Sequence, residues 1–399
     1  MSKKRTIDAF FGAPQAKKHR GSDVIDRLEI ADSESHERNG AIAPNPSPQT
    51  SLSTHPTYPF PIPHLPAPIA AELPSLPSSI GKPHTSEPDL DLLYFNPYLP
   101  RSTAAQLFRF LRAELPFYRV EYDIKRFGTP THIRTPRWTT VFGVDETARF
   151  VSSSPSATTS SPSSFSPPGN GAAKEVNVDE GNGIQALVST ASRTPINPRS
   201  VREYAARHPR PLPQCLDAMR RSAEAATGCR FNICLVNYYA SGADSISFHS
   251  DDERFLGPDP AIASFSLGAR RDFLMKHKPT TTPAPSKGSS AAAAAGAATT
   301  LRDKTDAAPA PEAKPLKFPL GSGDMILMRG PTQSHWLHSI PKRSGRNEKD
   351  GGRINITFRR AMVKGGTENY YNYNVGNGPA YKWDDASQEM RQWKPGPAS

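Results

Sequence analysis

Hydrophobic and polar positions alternate without a break over residues 353–359 of the segment RINITFRR. Successive side chains of a β-strand point to opposite faces, so this pattern predicts a strand with one apolar and one polar face. The apolar positions are Ile354, Ile356 and Phe358, and the polar positions are Arg353, Asn355, Thr357 and Arg359. The polar face could lie in water or hold a charged ligand.

Several other segments after residue 230 have a similar pattern. The first three are NICLVNYYA, SISFHSD and IASFSLGA, and turn-forming residues separate the segments from one another. Short strands of this kind predict an antiparallel sandwich or barrel. Two helices should flank it, one capped by Ser102 and followed by Pro116, and one over about 212–227 closed by Gly228. The predicted fold class is therefore mainly β with flanking helices.

Composition divides the chain into folded and low-complexity parts. Its 399 residues include 42 prolines and 27 glycines, many in stretches with few core-forming residues. We predict a disordered tail over 1–88, a folded domain over 89–364, and low-complexity insertions over about 152–173 and 280–314. The extension over 365–399 could pack on the domain or lie free.

Charge and cysteine content limit the classes of protein to which this chain can belong. A formal net charge of +11 favours a polyanionic partner. Three cysteines without metal-type spacing indicate a reducing compartment and no disulfide scaffold. No apolar run approaches the ~18 residues that span a bilayer, and the N-terminus has no signal-peptide pattern. We expect an intracellular monomer that is not membrane-bound.

A metal site is suggested by SISFHSDD and SHWLHSIP. His249 and Asp251 lie two residues apart on one face of a predicted strand. Such a pair can offer a nitrogen and a carboxylate oxygen to one metal ion. A second histidine would complete the two-His, one-carboxylate set of non-haem Fe(II) oxygenases. The candidates for it are His335 and His338, between which these residues alone do not choose.

The polar face of the 353–360 strand would suit an anion beside that metal. The planar guanidiniums of Arg353 and Arg359 could each hold one carboxylate through paired hydrogen bonds. Asn237 and Tyr239, on one face of NICLVNYYA, can also donate to carboxylate oxygens. Iron ligands together with a dicarboxylate clamp indicate 2-oxoglutarate as a cosubstrate.

Four segments together resemble AlkB-family Fe(II)/2-oxoglutarate dioxygenases, closest to the eukaryotic branch that repairs alkylated DNA. They are NYYASGADSISFHSDDE, IASFSLGARRDFLMKHK, HWLHSIP and RINITFRR. Their combined order is specific, whereas each part alone is weak. The resemblance covers roughly 90–150, 185–278 and 315–362. It implies a double-stranded β-helix (jelly roll) core, Fe(II), and 2-oxoglutarate and O2 as cosubstrates.

The resemblance also implies a role for individual residues. It makes His249, Asp251 and His338 the iron ligands, because the family places its distal ligand after the tryptophan and one further residue. The cosubstrate residues it implies are Asn237, Tyr239 and Arg353 for the distal carboxylate, and Arg359, helped by Asn355 and Thr357, for the iron-chelating end.

For the substrate, the resemblance implies a pocket that receives a flipped base. Phe142 takes the place of the pocket aromatic, and Asp252 that of the residue contacting the base. Glu253 either helps to shape the pocket or is a plain surface acid. Phe127, followed by Gly128, stands where duplex-specific members insert a finger, or is an ordinary loop aromatic. The candidate phosphate-binding residues are Arg270, Arg271, Lys276 and Lys278.

The N-terminal tail carries a short apolar motif between basic clusters. Ile7, Phe10 and Phe11 have the i, i+3, i+4 spacing of one helical turn. The stretch resembles the peptide that binds the replication sliding clamp, although Lys4 stands where that motif has Gln. The clusters at 3–5 and 17–20 are compatible with nuclear import or with plain solvated charge.

These features together predict a nuclear enzyme that repairs DNA by oxidative dealkylation of bases such as 1-methyladenine and 3-methylcytosine. An RNA demethylase or a protein hydroxylase of the same fold is the alternative among enzymes. A clamp-bound scaffold without catalysis is the alternative from another class.

Overall fold

The computed structural model describes residues 51–126, 129–152, 185–202, 204–279, 314–344 and 351–395. The candidate clamp motif at Ile7, Phe10 and Phe11, the basic clusters, and the candidate finger at Phe127 and Gly128 lie outside those residues. Within the described ranges, no helix is long and apolar enough to cross a membrane.

A seven-stranded antiparallel sheet forms the larger layer of the fold. Across the sheet its strands are β3 (Lys82–His84), β4 (Asp91–Phe95), β15 (Met325–Arg329), β12 (Ile262–Gly268), β17 (Arg353–Arg359), β10 (Ile233–Tyr239) and β7 (Trp138–Gly143). Strand β17, predicted from RINITFRR, lies between β12 and β10. Its interior position explains why all seven of its residues are buried.

A four-stranded antiparallel sheet faces the larger one. Its strands are β11 (Ile246–His249), β16 (Trp336–Ile340), β13 (Arg271–His277) and β14 (Leu316–Leu320). Residues of both sheets share one apolar cluster, which includes Tyr239 and Ile262 from the larger sheet and Phe273 and Trp336 from the smaller. Two facing antiparallel sheets around a common core confirm the predicted jelly roll.

Short strand pairs and α-helices surround the two sheets. The pairs are β1 (Leu52–Ser53) with β2 (Ile62–Pro63), β5 (Glu121–Arg126) with β6 (Thr129–Arg134), β8 (Ala148–Ser152) with β9 (Gln185–Ser189), and β18 (Tyr381–Asp384) with β19 (Glu389–Gln392). The helices are α1 (Ala67–Glu72), α2 (Arg101–Glu114), α3 (Gln214–Thr227), α4 (Thr332–His335) and α5 (Thr367–Asn374).

Helices α2 and α3 cover the outer face of the larger sheet. Their buried residues recur at the spacing of one helical face and are Thr103, Ala104, Leu107 and Leu111 in α2, and Cys215, Leu216, Met219 and Ala223 in α3. Gly228 ends α3 in the left-handed region at φ +70°, as predicted. Helix α2 begins after Pro100, so Ser102 lies in its first turn and does not cap it.

The predicted tail boundary at residue 88 was wrong, because residues 51–88 are folded. Four apolar side chains from this stretch join the core beneath the helices, namely Ile62, Leu65, Ile69 and Leu73. The Leu65 amide donates to Gln214 Oε1 at 3.0 Å, and the Tyr58 hydroxyl donates to the Pro211 carbonyl at 2.7 Å. The proline-rich composition predicted disorder because these residues cannot form a core alone; they fold by packing on the helices.

The C-terminal extension also packs on the domain. Tyr371 of α5 donates its hydroxyl to the Gly143 carbonyl at the end of β7, at 2.8 Å. At the β18–β19 hairpin, the Arg112 guanidinium lies 3.8 Å from the ring centroid of Trp383. Of the two arrangements left open by the sequence, the structure has the packed one.

Candidate active site

The polar face of β17 lies inside the fold, between the two sheets. Its apolar residues Ile354, Ile356 and Phe358 belong to the core beneath the helices. Arg353, on the opposite face, pairs with Tyr239 of β10, whose ring lies in the core that the two sheets share. Arg353 and Arg359 are only 1% and 3% exposed. The arginines therefore do not lie in water.

A cluster of two histidines and one aspartate lies at the edge of the smaller sheet. His249 pairs with His338 of β16, and their ring centroids are 4.2 Å apart. Nε2 of each ring lies 3.9 Å from an Asp251 carboxylate oxygen. Ligand atoms of all three residues lie within 4.8 Å of one another. Nδ1 of His249 lies 2.8 Å from the Ser247 carbonyl, which orients Nε2 towards Asp251.

The electrostatics keep these groups in metal-binding form. Burial lowers the pKa of His249, and burial together with His249 lowers the pKa of His338 to about 3. Burial alone would raise the pKa of Asp251, but the Arg359 guanidinium and the two histidines together outweigh burial and hold that pKa well below its usual range. Two neutral imidazoles and one ionised carboxylate are the donor set of non-haem iron sites.

Both arginines of β17 have hydrogen-bond donors to spare. Arg353 donates from Nη2 to Ser266 Oγ at 2.8 Å, and Arg359 from Nη2 to Asp251 Oδ2 at 2.7 Å. In each guanidinium, Nε and Nη1 are buried and have no hydrogen-bond partner among the described residues. Because unsatisfied buried donors are costly, these nitrogens indicate the place of an anion.

Comparison with known proteins gives this site a family. The sequence profile of the 2OG-Fe(II) oxygenase superfamily matches residues 91–359, which include the cluster and both arginines. The chain belongs to this superfamily. Its curated relatives include alkB homologues, and it is a member of the AlkB family of these oxygenases.

Three of these relatives show the extent of the similarity. DNA oxidative demethylase ALKBH2 of Homo sapiens is 33% identical over 155 residues, covering 39% of this chain and 49% of that protein. The Arabidopsis thaliana ALKBH2 is 37% identical over 152 residues, covering 38% and 44%. Alpha-ketoglutarate-dependent dioxygenase alkB homolog 3 of Homo sapiens is 35% identical over 144 residues, covering 36% and 41%. The chain thus spans about half the length of these relatives, or less.

The superfamily uses Fe(II) and 2-oxoglutarate, and the buried groups of this oxygenase fit both. The cluster of His249, Asp251 and His338 has the donors that Fe(II) takes. The unsatisfied nitrogens of Arg353 and Arg359 can each meet a carboxylate oxygen. A dicarboxylate between them would satisfy donors that the protein itself leaves unpaired.

Asn355 and Thr357 bond to neighbouring strands, and among the described residues neither has a side-chain hydrogen bond to Arg359. The Asn355 amide donates to Ser264 Oγ and to the Phe265 carbonyl, each at 2.8 Å. Thr357 Oγ1 donates to the Leu235 carbonyl at 3.0 Å. The help expected from them for Arg359 is therefore indirect, through the position of β17 between its neighbours.

Arg137 is a buried cation of the site that was not predicted from the sequence. Its Nε donates to Asn237 Oδ1 at 2.8 Å, and its Nη1 is buried without a hydrogen-bond partner in the described structure. Burial lowers the pKa of its guanidinium. The signal was present, because Arg137, directly before β7, is in period-two register with Thr139 and Val141 of that strand. The Asn237 side-chain oxygen is thus already bound by a buried cation.

Tyr370 of α5 is a second residue that was missed. It is 6% exposed, its ring centroid lies 5.2 Å from that of Phe255, and the Arg359 guanidinium carbon lies 5.7 Å from it. Burial raises the pKa of its hydroxyl well above the usual range. That hydroxyl has no hydrogen-bond partner among the described residues. No motif in the sequence links the extension to the site.

Asp252 and Glu253 directly follow the metal cluster but differ in environment. Asp252 is exposed, and its carboxylate forms a salt bridge with Lys278 Nζ at 3.2 Å. Glu253 Oε2 is buried without a hydrogen-bond partner in the described structure. Burial, followed by the negative charge of Asp251, raises the pKa of Glu253 to about 7. The reading of Glu253 as a plain surface acid does not agree with this burial.

Phe142 does not face the site, contrary to the sequence-based expectation. It pairs with Cys234, lies fully buried in the core beneath the helices, and meets the Tyr58 ring edge-on at 5.9 Å. The preceding Val141 faces the other way and packs in a cluster with Tyr370. Since strand side chains alternate, a one-residue difference in position reverses the face.

The four candidate phosphate-binding residues differ in their exposure. Arg271 is 1% exposed, and its Nη2 donates to the carbonyls of Asp244 and Pro341 at 2.8 and 2.7 Å, so a phosphate role for it was wrong. Arg270 is exposed, and Lys276 and Lys278 are half-buried. These three remain candidates for contact with a nucleic-acid backbone.

Proposed function

We propose that this oxygenase oxidatively removes alkyl groups from base nitrogens in DNA, with 1-methyladenine and 3-methylcytosine as the type substrates. The observation that carries the proposal is the His249–Asp251–His338 cluster beside two buried arginines with unsatisfied donors. Similarity to proteins named DNA oxidative demethylase favours DNA as the substrate. The net charge of +11 is of the sign that binds phosphate backbones.

In this proposal, each buried group has a defined task. The residues that would hold Fe(II) are His249, Asp251 and His338. The distal carboxylate of 2-oxoglutarate would be bound by Asn237, Tyr239 and Arg353. Arg359 would serve the carboxylate near the iron. When bound, iron and 2-oxoglutarate supply with O2 the oxidising power that releases an N-methyl group as formaldehyde. Arg359 keeps Asp251 ionised and oriented, while Phe255 and Tyr370 exclude water on one side.

Substrate entry would require a flipped base, because the methyl group lies on its pairing edge. Asp252, exposed beside the cluster, would contact that base, and the half-buried Glu253 would line the pocket with its buried Oε2. Phe127, which precedes Gly128 between β5 and β6 in the sequence, would enter the stack left by the flipped base.

The test is formaldehyde and succinate formation by the full chain with Fe(II), 2-oxoglutarate and methylated oligonucleotides. Release from single-stranded or duplex DNA should exceed release from RNA. His338→Ala should abolish it, whereas the matched His335→Ala should not, because His335 lies outside the cluster. Preference for RNA would favour the RNA demethylase, and no release from any nucleic acid would refute the proposal. Unchanged repair-dependent survival in His249→Ala cells would favour the scaffold.

We also propose that the enzyme acts in the nucleus, recruited by the sliding clamp through Ile7, Phe10 and Phe11. A peptide of residues 1–20 should bind the clamp, and the same peptide with Phe10→Ala and Phe11→Ala should not. Equal binding by both peptides would remove this part of the proposal.

A further inference from the structure

We propose that Asp89, His277 and His335 form a second metal site, for a divalent transition-metal ion such as Zn²⁺, outside the catalytic centre. The three residues come from the turn before β4, the end of β13 and the end of α4. One ligand atom from each lies within 4.8 Å of those of the others. None of them belongs to the cluster proposed to hold iron, so the inference does not depend on the proposed reaction.

The distances between ligand atoms suit a small tetrahedral ion. His277 Nε2 lies 3.2 Å from Asp89 Oδ2, and His335 Nδ1 lies 3.5 Å from the same oxygen. Bonds of about 2.0–2.1 Å around tetrahedral zinc place neighbouring ligand atoms roughly 3.3 Å apart. The corresponding contacts in the catalytic cluster are longer, at 3.9 Å. In these two contacts the second cluster is closer to a tetrahedral zinc geometry than the first.

The hydrogen bond on the far side of His277 strengthens the argument. Nδ1 lies 2.7 Å from the Lys278 carbonyl, which can only accept, so Nδ1 carries the proton. In the neutral ring, Nε2 then presents a lone pair to the Asp89 carboxylate at 3.2 Å. Two acceptors at this distance need a cation between them, either a second proton on the ring or a metal ion. A backbone carbonyl bound to the other ring nitrogen is also the usual support of a metal-binding histidine.

The surrounding structure holds all three ligands in place. Trp336 Nε1 donates to the Pro88 carbonyl at 2.9 Å, and the Asp91 amide donates to Thr332 Oγ1 at 2.9 Å, so the turn is fixed on both sides of Asp89. The Lys278 amide donates to the His335 carbonyl at 2.7 Å, which joins the segments that carry the two histidines. Preorganised ligands lose little conformational freedom when an ion binds.

The ion would join the N-terminal segment to the smaller sheet. The three side chains are 43%, 29% and 47% exposed for Asp89, His277 and His335, so a fourth position would be open to water. An ion that binds the folded chain and not the unfolded chain raises stability by mass action. The site is thus suited to strengthen the attachment of the 51–95 segment.

Zinc stoichiometry of the full chain, by equilibrium dialysis and elemental analysis at neutral pH, tests the proposal. His277→Ala should bind one equivalent fewer than the wild type. His338→Ala should also lose one equivalent, from the catalytic cluster, and the double variant should lose two. His132→Ala is the matched control, because His132 contacts Glu121 and Asp123 but belongs to no two-histidine cluster among the described residues. It should bind as many equivalents as the wild type.

Two further measurements make the outcome decisive. Zinc should raise the melting temperature of His338→Ala but not of the double variant, and His277→Ala should keep its basal 2-oxoglutarate turnover. If His277→Ala does not fold, His335→Ala replaces it, because that ring is more exposed. Wild-type stoichiometry in both His277→Ala and His335→Ala would overturn the proposal.

Discussion

The two arginines of β17 should respond in opposite ways to loss of their charge. Arg359 is paired with Asp251 at 2.7 Å, and the two side chains are 4% and 6% exposed. Arg353 is equally buried, but among the described residues no carboxylate pairs with it, and Ser266 Oγ accepts from it instead. Methionine at each position keeps an unbranched side chain and removes the charge.

The expected magnitudes follow from these partners. Arg359→Met leaves the buried Asp251 without its partner, which should destabilise the protein by about 3–5 kcal/mol. Burial lowers the pKa of Arg353 to about 10, so keeping this guanidinium charged in the fold costs about 3 kcal/mol. Arg353→Met removes that cost, and the ligand-free variant should be at least as stable as the wild type. It should bind 2-oxoglutarate roughly 100-fold more weakly, since a buried charge-assisted contact of about 3 kcal/mol is lost.

Denaturant unfolding of the metal-free protein measures the change in stability. The KM for 2-oxoglutarate, followed by succinate formation, measures the change in cosubstrate binding. Arg353→Met should mainly raise this KM, whereas Arg359→Met should also lower turnover because Asp251 is no longer held. Arg360→Met is the control, since Arg360 is next in the chain but exposed. Equal loss of stability in the two buried variants, or identical kinetic defects, would show that the division of tasks is wrong.

Three further predictions concern the rest of the site. Tyr370→Phe removes a buried hydroxyl without a described hydrogen-bond partner, so the stability of the ligand-free protein should stay equal or rise by about 1 kcal/mol. Binding of cosubstrate or methylated DNA should weaken, and unchanged binding would exclude Tyr370 from the site. In metal-free protein the lowered pKa of His338, about 3, means that the unfolded chain binds more protons below about pH 6.5, so stability falls as pH falls through this range. His338→Asn should reduce this slope by up to ~1.4 kcal/mol per pH unit, as measured by unfolding at several pH values. Phe142→Ala should cost about 3–5 kcal/mol of stability yet leave the KM for methylated oligonucleotides unchanged; a raised KM would restore Phe142 to the base pocket.

The periodicity of the sequence predicted the parts of the site that lie on regular strands. Alternation in RINITFRR correctly separated Arg353 and Arg359 from the apolar residues between them, because a strand inside a sheet allows only two side-chain directions. The choice between His335 and His338 could not come from periodicity. It depended on resemblance, and in the structure His338 pairs with His249 while His335 lies with Asp89 and His277.

Where the prediction failed, tertiary context decided. Phe142 was placed by resemblance without the register of β7, and one residue of difference turned it to the opposite face. Residues 51–88 have the composition of a disordered tail, and their apolar side chains become a core only against the surfaces of other helices. Composition describes what a segment can bury by itself and omits what its neighbours can cover.

The same reasoning explains why the C-terminal extension is part of the site although it has no motif of its own. The inner face of β7 and β10 continues beyond the smaller sheet with Val141, Ile233 and Leu235, which α5 covers in a separate apolar cluster. Apolar residues at that end of the sheet need a cover, and α5 provides it with Tyr370 beside Arg359. A cover that only excluded water could use phenylalanine, which would bury no hydroxyl. The hydroxyl of Tyr370 is therefore better explained by a ligand that accepts its hydrogen bond than by packing alone.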